Sequence, residues 1–159
     1  MSDVAFDETL VVMDKSFQTK EEVIETLAAR LIEKGYVKPA FAGAVLERES
    51  KFPTGLPTKP VCVAIPHADP EYCIKPCLAV ARLTKPVKFG LMTNPSVQVD
   101  VSMVFLLGLH KGSDHVTFLC ALTEMFQEEK YLKDLMEADD ARKLASMIEK
   151  GVSMREGKT

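Results

Sequence analysis

The apolar positions change period several times along the chain, and each change predicts an element. Thr9–Met13 (TLVVM) is short and rich in β-branched residues, which suits a strand. Thr19-Lys20-Glu21-Glu22 then forms a capping box, with Thr19 as N-cap and Glu22 at the third helical position. Behind it Val23, Ile24, Leu27, Ala28, Leu31 and Ile32 recur at helical spacing, and Gly35 stands where a glycine would end the helix. Pro39 opens a second helix from its first turn, with Phe41, Ala44, Val45 and part of Leu46 as its apolar face. Val61–Ile65 and Cys77–Leu83 read as strands. Lys85–Phe89 reads as an edge or hairpin segment, because Pro86 cannot sit in a central ladder, and Gly90–Ser96 as a polar loop. Val97–Leu107 carries the longest strand signal. It alternates at first and is then apolar on both faces, as a strand does when it runs from a half-wet end into a covered sheet. Gly112 or Ser113 caps a long helix from near Asp114, with Phe118, Leu119, Leu122, Met125 and Phe126 as its stripe. Shorter amphipathic helices follow near Tyr131–Glu137 and Asp140–Lys150. Strands alternating with helices predict an α/β protein: one three-layer α/β/α domain over residues 1–150, with a mixed sheet of roughly five strands. The polar segment 151–159 reads as a frayed tail.

Composition removes several classes. A chain of 159 residues suits one domain and is expected to work as a stand-alone subunit. A net charge of −3 with no basic block lacks the electrostatic footprint of a nucleic-acid binder. No apolar stretch approaches the ~20 residues that span a bilayer. The acidic start, MSDVAFDETL, has no signal-peptide pattern, so the chain is expected in the cytoplasm with Cys62, Cys73, Cys77 and Cys120 as thiols. Cys62, His67, Cys73 and Cys77 lie close together, but their spacing holds no C-x2-C half-site and matches no common zinc module. Neither a metal nor a cofactor is expected.

Chemistry concentrates in Phe52–Pro70, FPTGLPTKPVCVAIPHADP. Val61–Ile65 runs into Pro66 and then His67. Proline lacks an N–H and fixes φ, so the strand must stop there and the imidazole stands on a stiff turn at a strand end. Arg48 lies three residues after Val45 and seven after Phe41, on the core side of a helix end, with Glu49 near the same face. Such an arginine must find an anion, and a pair with Glu49 or an aspartate on a wet boundary would also satisfy it. His115 falls in the first turn of its helix and points inward, where free N–H groups favour an anion; a bond to a nearby carbonyl would equally explain it. His110, in the loop before, reads as solvated. No Walker A sequence, G-x-G-x-x-G or magnesium-binding pair is present, which argues against a nucleotide-dependent kinase. Ser113-Asp114-His115 makes a poor hydrolase, since consecutive helical residues point apart. The residues alone favour anion binding and leave phosphoryl transfer open.

The combination Arg48-Glu49, Pro53-Thr54-Gly55, Ala64-Ile65-Pro66-His67-Ala68, Pro76, Lys85-Pro86-Val87 and VQVDVSMVFLL resembles the fructose/mannitol-type enzyme IIA domain of the bacterial sugar phosphotransferase system. The likeness covers about Leu10 to Ile148, and RESKFPTGL (Arg48–Leu56) is most similar to the galactitol-type branch. It implies a phosphocarrier for uptake of a sugar or sugar alcohol, in which His67 takes phosphate from phospho-HPr and passes it to a cysteine of enzyme IIB, with enzyme IIC reached indirectly at the membrane. It further implies that Arg48 and His115 steady the phosphoryl group and that Thr54 and Gly55 shape the adjoining loop. A regulatory, nitrogen-type enzyme IIA and a non-catalytic module binding a phosphate-bearing ligand remain the other readings.

Overall fold

The computed structural model describes residues 1, 3–110 and 115–157. Its elements begin and end where local chemistry dictates. Asp7 caps a single 3₁₀ turn at Glu8–Leu10 by accepting from Thr9 N–H at 2.8 Å, so strand β1 (Val11–Lys15) starts later than TLVVM suggests. Helix α1 (Lys20–Glu33) opens with Thr19 Oγ1 accepting from Glu22 N–H at 3.2 Å; the returning arm of the box reaches Gln18 N–H instead of Thr19. It closes with Gly35 at φ +78°, and the N–H groups of Gly35 and Tyr36 donate to the carbonyls of Ile32 and Leu31 at 2.9 and 3.1 Å. Pro39 lies in a turn that Phe41 N–H closes onto Lys38 O at 2.9 Å, so helix α2 spans Phe41–Lys51.

The sheet is mixed and five-stranded. Strand β4 (Cys77–Leu91) pairs in parallel with β1 and antiparallel with β5 (Asn94–Gly108), and β5 pairs in parallel with β3 (Cys62–Ala64). Strand β2 (Gly55–Leu56) runs antiparallel to β3, and its Gly55 also meets Leu91 near the tip of β4. Two faces of this sheet are covered. Leu10, Val12, Ala79, Ala81, Val104 and Leu106 pack against α1 and α2 on one side. Val11, Leu78, Val80, Met103, Phe105 and Leu107 pack against helices α3 (Val116–Gln127), α4 (Glu129–Glu137) and α5 (Ala141–Glu156) on the other. This is the expected three-layer α/β/α arrangement.

Two sequence expectations are corrected. Gly90–Ser96 is no open loop: β4 and β5 form one long hairpin that turns at residues 92–93, and its polar side chains belong to an exposed ribbon with Lys88 and Asp100 paired at 2.7 Å. Lys85–Phe89 is the hairpin segment expected: Val87, Lys88 and Phe89 pair with β5, and the ladder shifts register between Arg82 and Val87 to pass Pro86. Nor does the chain fray at Gly151. Helix α5 continues to Glu156, and Gly151, Val152 and Arg155 are buried. Arg155 lies over the Tyr131 ring, donates to Gly151 O at 2.7 Å and pairs with Glu128, which anchors the last turns. The capping proposed for Gly112, Ser113 and Asp114 lies outside the described residues.

Arg82 locks α4 to the sheet. Its Nε and Nη2 donate to Asp14 at 3.1 and 3.0 Å, and its Nη1 donates to the carbonyls of Leu135 and Ala138 at 3.0 and 2.8 Å. Arg82→Met leaves two buried carbonyls unpaired and is expected to cost about 2–3 kcal/mol, seen as a lower urea midpoint at unchanged slope. Asp14→Asn, on the exposed side of the pair, should cost less than about 1 kcal/mol in the same assay. At Gly55 an added Cβ would stand 2.5 Å from Gly90 O and 3.0 Å from Val99 Cγ2. Gly55→Ala is therefore expected to destabilise by about 1–3 kcal/mol in the same titration.

Candidate functional site

The site forms where β3 runs out beside the C-terminal end of β5, a position at which α/β sheets commonly place ligands. The Cys62–Ala64 ladder stops because Pro66 has no N–H to offer. The Pro66 carbonyl still accepts from Leu107 N–H at 3.0 Å, and His67 bridges Leu107 in parallel register. His67 is thus fixed by its backbone to a central strand while its half-buried ring leaves the sheet.

The ring is oriented by a neighbour two residues back. His67 Nδ1 lies 2.9 Å from Ile65 O. A carbonyl only accepts, so Nδ1 carries the proton and the lone pair of the neutral imidazole resides on Nε2. Nε2 has no hydrogen-bond partner among the described residues. Burial pushes the His67 pKa below its ordinary value of 6.5 and the Arg48 guanidinium pushes the same way, against the Ile65 bond and the Asp69 carboxylate. The neutral, nucleophilic form is favoured.

Arg48 joins His67 at this site in a way its helical position only partly predicts. Its Nε is buried without a partner, whereas Nη1 reaches outward to Asp69 Oδ1 at 3.3 Å and the guanidinium lies 5.6 Å from the centre of the Phe52 ring. The inward residue is Glu49, 2% exposed. Arg48, Asp69 and Phe52, with Ala44, Glu47, Lys51 and Tyr72, line an open groove of about 260 Å³.

Thr54 sits just beneath. Its hydroxyl donates to Glu49 Oε1 at 2.8 Å and accepts from Ile65 N–H at 3.2 Å, while its own N–H donates to Glu49 Oε2 at 2.8 Å. Gly55 follows, pressed against Gly90.

His115 opens helix α3. It is the N-cap of α3 in right-handed helical conformation, and its Nε2 lies 2.6 Å from His110 O, the nearby-carbonyl arrangement left open by its sequence position. That bond requires a proton on Nε2. No hydrogen bond joins His115 to His67 among the described residues. Asp69, Phe52 and the inward Glu49 were not singled out as site residues. Asp69 carried a signal, a carboxylate two residues after the histidine, while the other two declare themselves only through folding.

The four cysteines are free. Cys62 lies on β3 and the sulfurs of Cys73 and Cys77 converge over Gly108, so they do not gather round His67. Among the described residues no group of three His, Cys, Asp or Glu side chains is placed to hold a metal, and no helix is long and apolar enough to cross a membrane.

The family described as phosphoenolpyruvate-dependent sugar phosphotransferase system, EIIA 2, matches residues 5–151. The fructose-specific EIIA component of Haloferax volcanii is 28% identical over 141 residues, covering 87% of this chain and 88% of that protein. The galactitol-specific EIIA component of Escherichia coli K12 is 25% identical over 141 residues, covering 79% and 93%. The multiphosphoryl transfer protein of Escherichia coli O6:H1 is 27% identical over 141 residues, and the chain spans only 16% of its length. Among solved structures, the mannitol enzyme IIA of Escherichia coli, in complex with phosphorylated mannitol enzyme IIB, superposes with a TM-score of 0.76 over 92% of this chain and 99% of that one, at 19% identity, a likeness of fold. The chain belongs to the EIIA family of the phosphoenolpyruvate-dependent sugar phosphotransferase system.

Proposed function

We propose that this chain is a phosphocarrier that receives a phosphoryl group on His67 Nε2 from the phosphohistidine of HPr and hands it to a cysteine thiolate of an enzyme IIB. The observation that carries this reading is the Nδ1–H bond to Ile65 O, because it leaves Nε2 as the ring nitrogen with a lone pair. In the first step the Nε2–P bond forms as the donor's N–P bond breaks, and the electron pair returns to the donor imidazole. In the second a thiolate attacks phosphorus, the S–P bond forms, and the pair returns to Nε2. Such in-line exchange needs positioning and charge stabilisation more than proton transfer.

In this reading Arg48 meets the phosphoryl oxygens; its place in the groove and its unpartnered buried Nε support that role. His115 has its Nε2 proton engaged with His110 O, so its part in steadying phosphate runs through Nδ1, and only in the protonated ring. The relative complexed with phosphorylated enzyme IIB supports a IIB protein as the acceptor. The RESKFPTGL stretch supports a galactitol-like sugar or sugar alcohol. A panel of purified enzyme IIB proteins tests that choice: fastest transfer to a galactitol-type IIB is expected, and preference for another sugar's IIB would reassign the substrate.

Incubation with enzyme I, HPr and labelled phosphoenolpyruvate should place acid-labile, alkali-stable label on the wild type and none on His67→Ala; label persisting on His67→Ala would overturn the assignment. Arg48→Ala should fold and accept phosphate on the order of 10²-fold more slowly, and His115→Ala about tenfold more slowly. A wild-type rate in either variant removes that residue's role. Because burial lowers the His67 pKa from its ordinary value, the midpoint of the acid-side fall in acceptance rate should lie below 6.5, measured by single-turnover labelling.

A further inference from the structure

A chain of buried polar groups leads from α2 to the imidazole. Strand β2 pairs Leu56 with Val63 and Gly55 with Ala64, so Thr54 is next in register opposite Ile65. At that rung the main-chain ladder is replaced. The Ile65 N–H donates to the Thr54 hydroxyl at 3.2 Å rather than to a main-chain carbonyl, and the Thr54 N–H donates to Glu49 Oε2 at 2.8 Å. The hydroxyl has a single proton, and Glu49 Oε1 takes it at 2.8 Å, which turns a lone pair toward Ile65. Beyond Ile65, the Pro66 carbonyl is held by Leu107 N–H at 3.0 Å. Ile65 is therefore pinned on both sides, and its carbonyl projects to His67 Nδ1 at 2.9 Å.

We infer that Glu49 and Thr54 are positioning residues for the transfer reaction: through the Ile65 backbone they fix the direction of the carbonyl that selects the Nδ1–H tautomer of His67. The inference rests on the reading of His67 as phosphate acceptor. A buried carboxylate is expensive, and Glu49 is 2% exposed with its pKa raised by desolvation despite both Thr54 bonds. Holding the end of a two-residue strand does not call for one, since Gly55–Leu56 already pairs on two sides. What the carboxylate provides is an acceptor at both Thr54 donors at once. A glutamine cannot do this: its amide must point N–H groups at the Thr54 N–H or at the hydroxyl, where they compete with Ile65.

Two measurements on the intact chain decide the matter. In protein labelled with ¹⁵N-histidine, long-range ¹H–¹⁵N correlation spectra read which ring nitrogen of His67 carries the proton, with His67→Ala supplying the assignment. The wild type and Thr54→Ser, which keeps the hydroxyl, should show the single Nδ1–H tautomer. Thr54→Val and Glu49→Gln should show a mixture of both and accept phosphate from phospho-HPr at least about tenfold more slowly. Thr54→Ala serves in place of Thr54→Val if the valine is not accommodated. A pure Nδ1–H tautomer in the folded hydroxyl-less and Glu49→Gln proteins would overturn the inference, as would loss of that tautomer in Thr54→Ser. If the wild type accepts no phosphate, the reading of His67 as acceptor fails, and the tautomer spectra still judge the positioning role on their own.

Discussion

One main-chain hydrogen bond sets where this site can be: Leu107 N–H to the Pro66 carbonyl, 3.0 Å. Leu107 is held on its other side by Leu78 of β4, and both strands are buried beneath helices on both faces there. The turn that carries His67 thereby inherits the rigidity of the most buried part of the sheet. On the opposite side of this strand end the Thr54 N–H turns to Glu49, and the carbonyl of Ile65 is left for the imidazole. A strand end, a proline and a backbone carbonyl together define a ring whose nucleophilic atom is already chosen.

Much of this was legible in the residues because the signals were local. The capping box at Thr19, the left-handed Gly35 and the half-wet to buried course of Val97–Leu107 each depend on neighbours a few positions away. What escaped was set by distant partners. Strand β2 has only two residues, and nothing in Gly55-Leu56 announces it; Ala64, Val63 and Leu91 create it. The hairpin between β4 and β5 was hidden by its own polarity, since a two-stranded ribbon in water looks like a loop when only hydrophobicity is read. The polar end of the chain misled for the opposite reason. Arg155 spends its charge on Glu128, a carbonyl and an aromatic ring, and so is buried despite its type.

The neighbouring pair Arg48 and Glu49 shows the same limit at the scale of one turn. Helical spacing puts Arg48 on the core side, and its stem does start inward, leaving Nε enclosed. The side chain is long enough to carry the rest of the guanidinium out to Asp69. Glu49, too short to escape, stays inside and is matched by Thr54. Periodicity locates a Cα; chain length and hydrogen-bonding partners decide where the charge ends up.

The Arg48–Asp69 pair has an electrical meaning for the proposed phosphocarrier, which would have to release what it holds. The guanidinium is never bare: in the resting molecule its charge is already answered by a carboxylate whose side chain is 63% exposed. An exposed pair of this kind is worth only about 1 kcal/mol or less. A phosphoryl dianion on His67 would therefore trade one counter-ion for another, with Asp69 turning outward to solvent at small cost. The trade would run equally well in reverse, so the departing group would leave behind a neutralised arginine instead of a stranded charge. Such near-symmetry would keep the bound and unbound states close in free energy, as the proposed relay requires.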